Sequence, residues 1–134
     1  MGNENTPLNK VHIRQINLQH SKLATTTLID YLTNLGQKWI VNIQEPYLDG
    51  KGQIALFPKK WLLLRANDPH PRACILSNCG NLWFDGQTSD RDVTTAIYKT
   101  KTSAIKLINA YCDINEPLPN LLYSALARRA NLTT

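Results

Sequence analysis

The sequence predicts a mixed α/β sheet protein. Three features support this fold class: an early strand–helix–strand pattern, a central series of short β segments separated by turns, and an apolar helix near the end. The 134 residues, 43% hydrophobic and 19% charged, have the composition of one globular domain. A chain of this length buries about two-thirds of its unfolded surface, so its core needs neither disulfides nor a structural metal.

The first three predicted elements form a βαβ unit. The β-branched stretch from Val11 to Ile16 predicts a buried strand that ends at Asn17 or Leu18. Ser21 can cap a following helix, which Gly36 ends. Residues 38–43 then form a second strand. A strand, a helix and a strand in this order predict a right-handed crossover between parallel neighbours. The apolar positions of the helix are Leu23, Leu28, Tyr31, Leu32 and Leu35.

The second half of the chain predicts an antiparallel meander followed by a closing helix. Turn signals such as Asp49-Gly50 and Asp85-Gly86 separate short segments rich in strand-forming residues. Prolines at positions 117 and 119 introduce the closing helix, whose apolar residues extend from Leu118 to Leu126. The predicted strands cover residues 53–57, 61–65, 72–77, 93–99 and 104–111.

Composition excludes several classes of protein. The polar leader, residues 1–9, which we expect to be flexible, has no apolar signal region, and no apolar run is long enough to cross a bilayer. Three cysteines without a CxxC pair suit a reducing compartment, so we expect an intracellular, nuclear or cytoplasmic protein with buried cysteines. The net charge of +5 favours polyanionic partners without identifying one.

Three polar residues follow predicted strands, where functional groups gather in α/β sheets. They are Asn17, Glu45 and Tyr111. A carboxylate at the mouth of a buried strand needs a cation or a hydrogen-bond donor, and a magnesium ion shared with a substrate phosphate would satisfy Glu45. The alternative is that Glu45 simply points to solvent. His12, His20 and His70 have no metal-ligand spacing to one another or to the cysteines, so the sequence predicts no zinc site.

Two motifs at a fixed separation carry a family resemblance. Residues 16–22 read Ile-Asn-Leu-Gln-His-Ser-Lys, and residues 43–47 read Ile-Gln-Glu-Pro-Tyr. Together they resemble the start of the endonuclease/exonuclease/phosphatase superfamily, and more narrowly the apurinic-endonuclease-like domain of non-LTR retrotransposon polyproteins. Weaker matches follow in order at residues 72–76, 89–93 and 109–114. The resemblance implies an α/β fold of the α+β sandwich type. This chain would form part of a four-layer sandwich with a mixed β-sheet flanked by helices.

The resemblance also implies roles for individual residues. Glu45 matches the family's metal-binding glutamate, so the implied cofactor is Mg²⁺ or Mn²⁺. Asn17 matches the asparagine that orders the site, and Tyr111 matches the tyrosine that contacts phosphate. Gln19 stands where some relatives have a second acidic or amide group, and we expect it to bind substrate. Apart from the resemblance, the basic residues Lys22 and Arg72, with Lys51 and Arg91, are the natural contacts for nucleic-acid phosphates. The implied partner is the phosphate backbone of DNA, with a reverse-transcriptase region downstream in a complete element.

The family pattern continues beyond what this sequence contains. The resemblance implies an Asp-x-Asn segment after a further strand, and later an Asp and a His, which activate water and stabilise the leaving group. Asp113-Ile114-Asn115 has these letters but belongs to the Tyr111 segment, so it cannot substitute, and neither Asp nor His follows it. The expectation is therefore one incomplete domain that is inactive alone, since catalytic groups of this kind act as a unit. Two alternatives stay open: a nucleic-acid-binding remnant that does not cut, and a nonfunctional gene fragment.

Overall fold

The computed structural model of the chain describes residues 10–127, so the predicted leader, residues 1–9, lies outside the described residues. This part of the chain contains seven strands and two α-helices, with one 3₁₀ turn at Gly86–Thr88. The elements are β1 (His12–Asn17), α1 (Lys22–Thr33), β2 (Trp39–Gln44), β3 (Leu62–Leu64), β4 (Ala73–Ser77), β5 (Leu82–Phe84), β6 (Val93–Lys99), β7 (Ala104–Ala110) and α2 (Asn120–Ala127).

The strands form two sheets. The first sheet has the order β1-β2-β4-β3 and is mixed, because β1 and β2 are parallel while β4 runs antiparallel to both of its neighbours. The second sheet is the antiparallel meander β5-β6-β7. The parallel pairing of β1 and β2 confirms the predicted βαβ unit.

Alternation along β2 divides the core into two parts. Trp39, Val41 and Ile43 face α1 and pack against Leu28 and Leu32. The intervening residues of a strand point to the opposite face. Ile40 accordingly joins the cluster between the two sheets, which also contains Ile75 from β4 and Ala96, Tyr98 and Leu107 from the second sheet.

Helix α2 covers the outer face of the second sheet. Leu107 of β7 points into the core between the sheets, so its neighbour Lys106 points outward, where its Nζ donates to the main-chain oxygen of Ala125 at 2.7 Å. Ala125 is completely buried there. The layers are therefore α1, the first sheet, the second sheet and α2, which confirms the predicted sandwich with sheets between helices.

Strand β1 is the first departure from the predicted pattern. The prediction of a buried strand is wrong, since β1 pairs only with β2 in the described chain and Ile13 is 49% exposed. Its β-branched residues favour an extended backbone whether or not a second strand pairs with β1. The strand predicted at residues 53–57 reduces to one bridge between Leu48 and Ile54, and the short β5 was not predicted.

The helix boundaries were predicted better than the helix faces. Ser21 caps α1 as expected, accepting from the Ala24 amide at 3.0 Å. Leu23 and Tyr31, however, are largely exposed, because α1 rests mainly on Leu28 and Leu32. Cys74 and Cys79 are buried as predicted, but Cys112 is exposed. No helix within residues 10–127 combines the length and apolar character needed to cross a membrane.

Candidate functional site

Asn17 and Glu45 lie at the same end of the first sheet. The parallel register places Asn17 opposite Gln44, directly before Glu45. Beyond this last strand pair, the Leu18 amide donates to the Gln44 oxygen and the His20 amide donates to the Glu45 oxygen, each at 2.9 Å. The two chain segments thus stay attached after the strands end, and they carry both predicted residues to one edge.

The backbone of this edge turns sharply. Gln19, His20 and Glu45 all have positive φ angles, of 51°, 57° and 50°. Non-glycine residues in this region cost about 1–2 kcal/mol each, so the surrounding contacts must hold them. One such contact is the Gln19 amide, which donates to Asn17 Oδ1 at 2.8 Å. Asn17 therefore supports the turn with the same oxygen that could face a ligand.

His20 is the neighbour of Glu45 that the sequence did not predict. Its Nε2 lies 3.3 Å from Glu45 Oε2, and its Nδ1 donates to the main-chain oxygen of Pro46 at 2.9 Å. The His20 ring is thus fixed at two atoms against the Glu45-Pro46 segment. Spacing rules could not find these contacts, because His20 lies 26 residues from Pro46 and meets the Glu45-Pro46 segment only through the left-handed turn.

Tyr111 reaches the site through Arg72. The Glu45 amide donates to the Arg72 oxygen at 2.9 Å, and the guanidinium carbon of Arg72 lies 4.6 Å from the centre of the Tyr111 ring. On its other atoms the guanidinium donates to Asp92 through Nε at 2.7 Å and Nη2 at 2.9 Å, and to Glu116 at 3.2 Å. Arg72 therefore connects the Glu45 segment to the Tyr111 ring. The carboxylates of Asp92 and Glu116 balance its positive charge.

The electrostatics of this cluster keep the Tyr111 phenol protonated. Partial desolvation raises its pKa above the usual value, and the negative charges of Glu45 and Asp113 raise it further. Arg72 opposes the shift without reversing it, while its own pKa is raised by its bonds to Asp92. At neutral pH the Tyr111 hydroxyl is consequently a hydrogen-bond donor, which is what a phosphate oxygen requires.

A buried amide holds the two sheets in register behind the site. Asn109 of β7 donates to the main-chain oxygens of Ile43 at 2.8 Å and Cys74 at 2.7 Å, and its Oδ1 accepts from the side-chain amide of Gln44. It is 2% exposed. Two residues further along the chain comes Tyr111, so Asn109 sets the position of the second sheet's contribution to the site.

Basic side chains line a pocket of about 390 Å³ beside Glu45. Its walls are His20, Leu48, His70, Arg72 and Arg91. Gly52 approaches this wall closely, because a Cβ built on it would lie 2.7 Å from His70 Nε2. A larger residue at position 52 would displace the imidazole. The pocket places the Arg91 guanidinium and two imidazoles next to the Glu45 segment.

The remaining predicted substrate residues have different environments. Gln19 is exposed and acts through its main-chain amide, and Lys22 is exposed in the first turn of α1, just after the left-handed turn. Arg72 was predicted as a phosphate contact, but its guanidinium is engaged by Asp92 and Glu116. Its evident structural task is to position Tyr111.

The donor set suits a divalent cation with open coordination positions. Glu45 offers a carboxylate with 24% of the side chain exposed, His20 offers a ring nitrogen, and Asn17 offers an amide oxygen at the same sheet end. No group of three or more His, Cys, Asp or Glu side chains is arranged to hold a metal within residues 10–127. Water or a substrate phosphate would supply the other ligands, as is common for Mg²⁺.

Comparison with solved structures identifies a protein with the same fold. The chain is similar to the endonuclease domain of TRAS1, a telomere-specific non-LTR retrotransposon, with a TM-score of 0.63 and 22% sequence identity. The match covers 77% of this chain and 46% of that domain's chain. No family model and no curated protein sequence matches. The resemblance predicted from the motifs at residues 16–22 and 43–47 is thus confirmed at the level of the fold.

Proposed function

We propose that this chain is part of a divalent-metal-dependent endonuclease domain that cleaves phosphodiester bonds in DNA. The observation that carries the proposal is the meeting of Asn17, Glu45 and the Arg72–Tyr111 pair at one edge of a fold shared with a retrotransposon endonuclease domain. Glu45 would hold the metal, either Mg²⁺ or Mn²⁺. A bound divalent ion would neutralise the charge that develops on the phosphate oxygens.

The side chains around Glu45 have complementary tasks in this proposal. The Tyr111 hydroxyl donates to a phosphate oxygen without adding negative charge, and its raised pKa keeps the proton in place. Asn17 holds the left-handed turn through Gln19 and keeps Glu45 at the edge. Lys22, which is exposed, and Arg91, which lines the pocket, supply positive charge to the neighbouring phosphates of the strand.

The chain spans about half the length of the endonuclease domain it resembles. We infer that the groups that activate water lie in a segment that corresponds to the unmatched part of the TRAS1 endonuclease domain. In a complete element, a reverse-transcriptase region would follow that segment. The triplet Asp113-Ile114-Asn115 adjoins Tyr111 instead of following a further strand, and neither Asp nor His follows it in these 134 residues. The chain alone should therefore bind metal and DNA but nick plasmid DNA slowly or not at all.

A complementation assay tests the proposal. The chain is combined with the remaining part of the TRAS1 endonuclease domain, as a fusion or by co-expression, and plasmid nicking is measured with Mg²⁺ and with Mn²⁺. Cutting should appear in the combination and disappear with Glu45→Gln. Asp30→Asn, which removes an exposed carboxylate on α1, is the matched control and should cut normally.

Two results would contradict the proposal. Cutting by the combination that survives Glu45→Gln would show that Glu45 is not the metal ligand. If the two parts do not assemble, metal binding by the chain alone decides the question, because a Mn²⁺ affinity that is the same for the unaltered chain and for Glu45→Gln would also reject the site.

The basic pocket favours a second candidate, a module that binds nucleic acid without cutting it. Arg91 and the imidazoles of His20 and His70 line the pocket, and the chain carries a net charge of +5. This function needs phosphate binding but no metal. DNA affinity that is unchanged by Glu45→Gln, together with no cutting in the complementation assay, would support it over the nuclease.

A further inference from the structure

The tautomer of His20 is fixed by its partner. The main-chain oxygen of Pro46 can only accept a hydrogen bond, so His20 Nδ1, at 2.9 Å from it, carries the proton. In the neutral ring Nε2 is then a lone-pair acceptor. The His20 amide also donates to the Glu45 oxygen at 2.9 Å, so the main chain and the ring are both held against the same segment.

This arrangement points two ligand atoms at each other. Nε2 of His20 and Oε2 of Glu45 lie 3.3 Å apart. The turn that brings them together uses three left-handed residues, Gln19, His20 and Glu45. Strain of this kind persists where the surroundings require it, which is often at ligand sites. Both atoms are partly exposed and can bind one cation between them.

The separation matches a metal chelate. Two ligand atoms about 2.0–2.1 Å from a tetrahedral zinc ion lie about 3.3–3.4 Å from each other. A ligating imidazole usually donates its other N–H to a carbonyl or carboxylate, as His20 Nδ1 does to Pro46. We propose that His20 Nε2 and Glu45 Oε2 together chelate a transition-metal ion, so that the site prefers Zn²⁺ or Mn²⁺ to Mg²⁺.

The proposal rests on Glu45 as the metal ligand of the proposed nuclease and adds a nitrogen ligand to it. Imidazole suits zinc and other first-row transition ions, whereas Mg²⁺ prefers oxygen ligands and retains its water. With two protein ligands and both side chains partly exposed, at 47% for His20 and 24% for Glu45, positions remain open for water or phosphate. An open coordination sphere is what distinguishes a catalytic from a structural zinc site.

Metal titrations of the full chain test the proposal. Zn²⁺, Mn²⁺ and Mg²⁺ affinities are measured by calorimetry for the unaltered chain and for His20→Asn, since Asn tolerates the left-handed backbone of position 20. Zn²⁺ and Mn²⁺ affinity should fall about tenfold or more in His20→Asn, by analogy with the loss of groups that support metal sites, while Mg²⁺ affinity stays the same. During the Zn²⁺ titration, the NMR signal of His20 Nε2 should shift.

Two control variants match His20→Asn. His70→Asn makes the same change at another pocket histidine with a left-handed backbone, of φ 51°, and Cys112→Ser removes the exposed thiol that could bind zinc. Both should bind Zn²⁺ as the unaltered chain does. If Cys112→Ser abolishes Zn²⁺ binding instead, the ion sits on the thiol and the proposal fails.

The outcomes also separate this inference from the proposed function. If His20→Asn binds all three ions unchanged while Glu45→Gln loses them, the metal role of Glu45 stands and the nitrogen ligand is refuted. If His20→Asn binds Zn²⁺ more tightly, His20 is a protonated counter-ion of Glu45 that competes with metal, which also refutes it. If neither variant changes any affinity, the proposed function itself loses its metal site.

Discussion

The guanidinium of Arg72 lies over the ring of Tyr111 at 4.6 Å while both Nε and Nη2 donate to Asp92. The main chain reinforces this pairing, because the Tyr111 amide donates to the Asp92 oxygen at 2.8 Å and the Arg72 amide donates to the Arg91 oxygen at 2.7 Å. Tyr111, which follows β7 and is proposed to contact phosphate, is thus held by a charge pair whose members, Arg72 and Asp92, directly precede β4 and β6. The position of Tyr111 in the site therefore depends on the Arg72–Asp92 pair.

Arg72→Lys should destabilise the chain although it keeps the charge. Lysine cannot reproduce the two parallel bonds of a guanidinium to one carboxylate. We expect the free energy of unfolding to fall by about 1.5–3 kcal/mol, the usual worth of hydrogen bonds to charged groups, in urea titrations. Arg65→Lys is the control, since Arg65 makes only single bonds, to Ala66 and Gln53, and should change little. Equal losses in both variants would contradict a special role for the forked pair.

The same pair predicts how stability depends on acid. Desolvation raises the pKa of Asp92, but the hydrogen bonds and charge of Arg72 outweigh it and lower the pKa below its ordinary value of 3.8. A carboxyl with a depressed pKa stabilises the fold above its unfolded pKa and loses that effect as the pH falls through its folded pKa. The stability difference between the unaltered chain and Asp92→Asn should therefore be constant near neutral pH and shrink below about pH 3.8. Thermal unfolding of both proteins between neutral pH and about pH 3 measures this stability difference. A difference that grows in acid would show that the pKa of Asp92 is raised, not lowered.

Local patterns predicted the part of the site that depends on strand ends. Asn17 and Glu45 were expected together because they follow two strands joined by one helix, and parallel neighbours bring equivalent ends to one edge. The boundaries of β6 were also predicted, because Val93–Lys99 is rich in β-branched residues. These features depend on periodicity within one short segment, which a sequence displays directly.

The contacts that complete the site depend on loops and could not be predicted in this way. His20 meets Glu45 only because non-glycine residues adopt a left-handed backbone that no local preference required. Arg72 meets Asp92 because β4 and β6 lie in different sheets that face each other. For the same reason, the exposure of Ile13 on β1 depends on which strands pair beside it, which periodicity within the strand does not report.

Asn109 gives a stability prediction at the boundary between the sheets. Asn109→Leu leaves the oxygens of Ile43 and Cys74 and the amide of Gln44 without their partner in a buried region. An unsatisfied buried polar group costs about 1–3 kcal/mol, so we expect a total loss of about 2–4 kcal/mol in urea unfolding. Asn109→Asp should be at least as harmful near neutral pH, because a carboxylate cannot donate to either carbonyl.

The control for this substitution is Asn115→Leu, at an exposed position outside the sheets. It should change the free energy of unfolding by less than about 0.5 kcal/mol, as exposed substitutions usually do. A stability of Asn109→Leu equal to that of the unaltered chain would mean that the amide does not join the two sheets.

DNA binding by the chain should depend steeply on salt. Phosphate contacts release condensed counterions, at about 0.9 per neutralised phosphate, so three to five contacts give a slope of log affinity against log salt of about −3 to −5. Lys22→Gln and Arg91→Gln should each weaken binding and reduce the steepness by about 1, since Lys22 is exposed beside the turn and Arg91 lines the pocket. Lys38→Gln removes the same charge just before β2, at the end opposite Glu45, and should leave the slope unchanged. Fluorescence anisotropy with a short labelled duplex, between about 50 and 200 mM salt, measures the affinities of the unaltered chain and the three variants.

Equal reductions of the slope in all three variants would show that DNA binding depends only on net charge. An affinity that does not change with salt would show that this surface does not bind the phosphate backbone.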